Sequence, residues 1–169
     1  MKKKPSGAIH AAPLFIGAVA LILGVLIYQI DRPAGSTYFL NRLPFPLFSD
    51  FNAPGALGRA GQILPGFIHV FSFSLITAGL FASERKGSLI ACLFWFGINA
   101  LFETGQKFGK TLSVFIPEWC DGIPYLESIS SYFSRGTFDW LDLLAMAAGA
   151  FSAWELLTII GPSSVKRRD

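Results

Sequence analysis

Charge is what this sequence has least of. Only 15% of its 169 residues are Asp, Glu, Lys or Arg, where a soluble domain carries about 25%. At the same time 52% are hydrophobic and the mean hydropathy is +0.50. That balance excludes an ordinary soluble enzyme and points to a small integral membrane protein. Cysteine is scarce as well: Cys92 and Cys120 are the only two, and no C-x-x-C or C-x-x-H pair exists to build a zinc centre. Cys92 falls in an apolar run and Cys120 in a loop, so no intrachain disulfide is predicted. The net charge of +3 is concentrated in the two tails and one short link. It forms no basic, aromatic-interleaved face, which excludes nucleic acid as a partner. Nothing in the chain points to a metal or another cofactor.

What the chain does have is long apolar runs. Met1 to Ser6 carries Lys2, Lys3 and Lys4, and a run of about 20 residues follows. No A-x-A cleavage site comes after it, so it predicts an uncleaved first transmembrane helix rather than a secretory signal. Further spans are predicted over about 63–82, 89–108 and 138–160, the first being about 11–30. The fold class is therefore all-α: a single polytopic membrane domain, 1–169, with four transmembrane helices and two long extracytoplasmic interfacial connections. The first connection, 31–62, is rich in Pro, Gly and Phe and is predicted to lie at headgroup level. The second, 109–136, contains PYLESISSYF, which predicts a short interfacial helix, while Trp119 and Trp140 fit an aromatic belt. In the fourth span, Ala145, Gly149 and Ala153 recur at four-residue spacing, predicting close approach of helices and a central place in the bundle.

Four spans put both tails and the 83–88 link on one side. That side holds Lys2, Lys3, Lys4, Arg85, Lys86, Lys166, Arg167 and Arg168 in short segments, whereas Arg32, Arg42, Arg59, Lys107, Lys110 and Arg135 are spread through the long connections. Dense positive charge in short segments predicts cytoplasmic termini. His69, Glu103, Gln106, Arg135, Asp139 and Asp142 are then all expected in the outer layer of the bundle. Asn99, Glu103 and Gln106 make one helical stripe, with Asn99 expected to bond across helices. Glu155 is expected to pair with Arg85 or Lys86.

The spacing E-x-x-Q at Glu103 and Gln106, R-x-x-x-D-x-x-D at Arg135, Asp139 and Asp142, and a glycine at Gly149 resembles the VanZ-like family of small membrane proteins. His69, near the start of an earlier helix, is similar to that pattern too. The resemblance covers about Pro65 to Ala153. Two features depart from it: Met146 stands where the family commonly has asparagine, and the link from Lys107 to Ser134 is much longer than usual. The resemblance implies a polytopic envelope protein, in a family associated with resistance to glycopeptide antibiotics, especially teicoplanin.

Ionisable groups inside a membrane helix cost about 2.5–3.5 kcal/mol each at the centre, so several together imply mutual pairing or a hydrated pocket. As a pocket for a membrane lipid or lipid-linked envelope molecule, His69, Glu103 and Asp142 are the candidate acid and base groups. Gln106, Arg135 and Asp139 are the candidate binding groups, with Arg135 holding an anion through its forked donors. As a clamp, the same charges pin helices together. Asp139 and Asp142 either share a proton or divide roles, Asp139 sitting at the helix start as a solvated N-cap acid. Two other functions stay open: a non-catalytic scaffold docking a partner protein through 31–62 or 109–136, and a proton-coupled carrier.

Overall fold

The structure, a computed structural model, describes residues 9–31, 53–82, 84–115, 117 and 136–160. Among them are five helices: α1 Ala11–Asp31, α2 Gly58–Phe81, α3 Arg85–Lys107, α4 Gly109–Phe115 and α5 Trp140–Ile160. All but α4 are long and apolar enough to cross a membrane, so the chain is an all-helical, multi-pass membrane protein. Arg135, Trp119, Cys120, PYLESISSYF and the body of both long connections lie outside the described residues. Cys92 is a buried free thiol.

The helix bounds differ from those expected where polar residues continue a helix beyond its apolar run. α2 begins at Gly58 rather than near residue 63, because GRAGQ is compatible with helix though not with hydrocarbon. α3 begins at Arg85 rather than 89 for the same reason. α3 ends when Phe108 N–H donates to the Gly105 carbonyl at 3.0 Å, a tightened last turn of the kind that closes helices. The short α4 follows at once.

The spans run up and down in antiparallel neighbours. His10 N–H donates to the Gly79 carbonyl (2.8 Å), joining the start of α1 to the end of α2. At the other end of the same pair, Ala53 and Gly55 N–H donate to the Ile30 and Asp31 carbonyls at 2.9 and 3.0 Å. Inside a bilayer no hydrophobic gain separates lipid from a leucine side chain, so helices associate through close van der Waals contact. Small residues supply it. A Cβ at Gly17 of α1 would lie 2.8 Å from the Ser72 carbonyl of α2.

The central helix is α2, not the fourth span. It packs on α1, α3 and α5, while α5 packs on α2 and α3 and only brushes α1. The reason is that α2 carries compact, buried positions on several faces: Gly61, Val70, Ser72, Ser74, Leu75, Ala78 and Gly79. The Ala145, Gly149 and Ala153 stripe of α5 is buried as expected, and it serves one face only. Leu75, Ala78, Cys92, Ala153 and Leu157 meet in the core. Outward, Phe15, Ile22, Leu101, Leu144, Phe151 and Ile159 are exposed, an apolar surface suited to lipid rather than water.

A polar bond joins α2 and α3 within the apolar span. Trp95 Nε1 donates to Thr77 Oγ1 (2.8 Å), tying α3 to α2. Trp95→Phe leaves the hydroxyl alone and is expected to lower stability by about 0.5–1.5 kcal/mol, whereas adding Thr77→Val removes the stranded partner and recovers part of that loss. Unfolding in mixed detergent micelles measures both, and a further loss in the double variant would contradict the pairing.

Candidate functional site

The carboxylates gather at the end of the bundle where α3 finishes and α5 begins. Glu103, four residues before the end of α3, is buried to 5% exposure. Its Oε1 accepts the Asp139 backbone N–H at 2.8 Å, and Gln106 Nε2 donates to its Oε2 at 3.4 Å. Helical spacing brings Gln106 over Glu103, since residues three apart share a face. Asp139 is exposed, and its Oδ1 accepts the Leu141 N–H at 2.9 Å. It is therefore the N-cap of α5, a geometry that satisfies an otherwise orphaned donor and favours negative charge at the positive end of the helix. Asp142 lies half-buried in the first turn, close enough for its charge to act on Glu103 together with that of Asp139. Of the two readings of this pair, the divided one fits the geometry: Asp139 caps and is exposed, while Asp142 is half-buried.

The rim is aromatic and basic. Lys107 Nζ sits 5.7 Å over the Phe138 ring, within cation–π range. Phe138 in turn meets the exposed Trp140 edge-on at 5.0 Å. The structure thus brings Glu103, Gln106, Asp139 and Asp142 together, although the chain between them is long.

His69 is not with them. Because α2 starts at Gly58, this residue falls near the helix middle, where its ring lies 4.6 Å from Phe73 and 6.2 Å from Trp95. Trp95 is two turns before Glu103 on α3, about 12 Å along the axis at 1.5 Å per residue. The expectation of one outer layer for all six residues fails for His69, which stands at mid-helix on α2, one turn deeper than Gly66, whose Cβ would lie 4.0 Å from the Asp142 carbonyl. The partners of His69 are aromatic faces, in a ladder that continues from Phe73 to Trp95 at 4.6 Å.

Three other expectations resolve locally. Asn99 bonds its own helix: Nδ2 donates to the Trp95 carbonyl, one turn back, at 2.8 Å. Arg85 does not pair with Glu155 but lies over the Trp154 ring at 5.1 Å. Met146 is buried, and its thioether arm packs where a Cβ on Gly66 of α2 would sit 3.5 Å away.

Sequence reasoning missed Asp31. It is 5% exposed at the end of α1, and its Oδ1 accepts the Leu57 N–H just before α2 at 2.8 Å. Asp31 and Glu103 thus do the same thing at the same end of the bundle: each lies in the last turns of one span and accepts a backbone N–H at the start of the next span. The only sequence signal is an acid at the last turn of an apolar run, which reads as an ordinary boundary charge.

Among the described residues no three His, Cys, Asp or Glu side chains gather closely enough to hold a metal ion. Four apolar spans with a partly buried acidic cluster at one end define a multi-pass membrane protein with a polar end-site. Set against family models, curated proteins and solved structures, the chain matches none of them.

Proposed function

We propose that the chain is a VanZ-like envelope protein of a prokaryotic plasma membrane, with cytoplasmic termini, whose acidic end binds or modifies the polar head of a lipid-linked envelope molecule. The observation that carries this reading is the Asp139 N–H bond to Glu103, which seats the E-x-x-Q pair of α3 against the D-x-x-D pair of α5. A buried carboxylate at a membrane helix end is costly enough that it marks a working site by default. Three carboxylates and an amide offer mainly acceptors. They favour a head rich in hydroxyl or amino donors, such as a sugar, over a bare phosphate, which would fall to Lys107 at the rim. In this reading Glu103 and Asp139 hold the site's shape, while Gln106 and Asp142 contact the head.

A photoactivatable polyprenyl-phosphate sugar, crosslinked to the protein in native membranes, tests it. The wild type is expected to label, and Asp142→Asn and Gln106→Ala to label about tenfold less, with membrane insertion unchanged. Equal labelling of all three would sink the pocket.

The clamp reading has its own observation, since Glu103 and Asp139 both spend carboxylate oxygens on backbone donors. Glu103→Gln keeps an acceptor and is expected to remain close to wild type in stability. Glu103→Ala strands the Asp139 N–H and is expected to lose about 1–3 kcal/mol. If labelling falls only in the variants that lose stability, the acids are a clamp and nothing more.

A further inference from the structure

At the opposite end of the bundle, a groove of about 250 Å³ runs between α3 and α5. We propose that it holds one acyl chain of a membrane glycerophospholipid whose phosphate is bound by Arg85. The α3 wall is Leu89, Cys92 and Phe96, and the α5 wall is Trp154, Ala150 and Ala147. Counting from Arg85, the α3 positions fall at i+4, i+7 and i+11, one helical stripe, so Arg85 stands at the mouth of the groove. The α5 positions fall at the same intervals from Trp154. The two stripes meet at that mouth, where the Arg85 guanidinium covers the Trp154 ring at 5.1 Å.

A guanidinium held over a ring by its charge keeps N–H donors for an anion, and its fork can grip a phosphate through two parallel bonds. Lys86, exposed on the next residue, adds positive charge. Glu84 and Glu155 are exposed at the same end, so the site selects for phosphate at a fixed depth rather than for a strongly anionic head.

The dimensions separate a lipid tail from a helix. From Arg85 to Phe96 the stripe extends about 16 Å, the depth of one leaflet of a hydrocarbon core about 30 Å thick. The groove lining itself runs from Leu89 to Phe96, about 10 Å, so 250 Å³ gives a cross-section of roughly 24 Å², too narrow for a helix about 10–12 Å in diameter. The small floor at Ala147, Ala150 and the buried Cys92 fits a single flexible chain.

Native mass spectrometry of the full-length protein, released from nanodiscs containing phosphatidylglycerol or phosphatidylethanolamine, reads the retained lipid directly. One phospholipid per chain is expected from either. Ala150→Phe, which fills the groove, is expected to lower retention about tenfold, and Arg85→Gln severalfold in both lipids, with Arg85→Lys intermediate. Leu144→Phe, the same kind of bulk on an exposed position of α5, is expected to change nothing. If Ala150→Phe loses helical dichroism, Ala147→Leu makes a smaller intrusion into the same groove. Unchanged retention in the groove-filling variants overturns the proposal. So does Arg85→Gln retaining as much as the wild type, or a wild-type dimer that a groove-filling variant dissociates, which would put a second copy there instead.

Discussion

Gly149→Val is expected to destabilise the bundle by about 3 kcal/mol or more and to lower its unfolding midpoint in detergent by roughly 6–12 °C. At this position a Cβ would run into the Phe67 carbonyl of α2. The obstacle is main chain in the middle of the central helix, so no rotamer change relieves it. α5 must back away from α2, and the separation spreads along the face that buries Ala145, Met146 and Ala153. In lipid this forfeits the close contacts that hold the pair together, with no hydrophobic term to replace them. Gly149→Ala is expected to show most of the loss, because the first carbon is the one that collides. The neighbouring Ala148→Val, on the exposed side of the same helix, is expected to stay within about 0.5 kcal/mol of wild type. A thermal unfolding series in one detergent checks all three, and a Gly149→Ala protein as stable as the wild type would mean that α2 and α5 do not pack as described.

Gly61→Ala is expected to have the next largest effect, and its partner is a side chain rather than main chain. A Cβ there would occupy the place of the Asp31 carboxylate. Asp31 must then swing away, and the Leu57 N–H loses its acceptor, at about 1–3 kcal/mol for a stranded donor and a displaced buried charge. Asp31→Ala alone is expected to lose a similar amount. The double variant Gly61→Ala/Asp31→Ala is expected to be more stable than the sum of the two, with a coupling of about 0.5–3 kcal/mol, because the new methyl enters space the carboxylate has left. Strict additivity would show that Asp31 and Gly61 do not touch. The contact joins the end of α1 to the start of α2, at the end of the bundle that carries the acidic cluster.

The spans themselves were legible because each is a local property. A run of about 20 apolar residues must bury its backbone polar groups in a helix, whatever its neighbours do. The alternative that Asp139 caps its helix was legible for the same reason, since an acid before an apolar run satisfies donors in its own first turn. The stripe of Glu103 and Gln106 followed from helical spacing. The depth of His69 was misjudged from hydropathy, which marks where hydrocarbon begins and not where a helix begins. GRAGQ extends α2 past that boundary and moves His69 to its middle.

By itself, then, the sequence determined a four-span membrane protein with acids near the helix ends, because partition into a bilayer and intrahelical hydrogen bonding act residue by residue along one segment. Only the tertiary structure decided that α2 is the centre, that Glu103 closes on Asp139, that Asp31 does likewise for α1 and α2, and that Arg85 turns to Trp154 rather than Glu155. Those outcomes depend on which small residues let two backbones approach, a contact between distant segments that the pattern within either one does not encode.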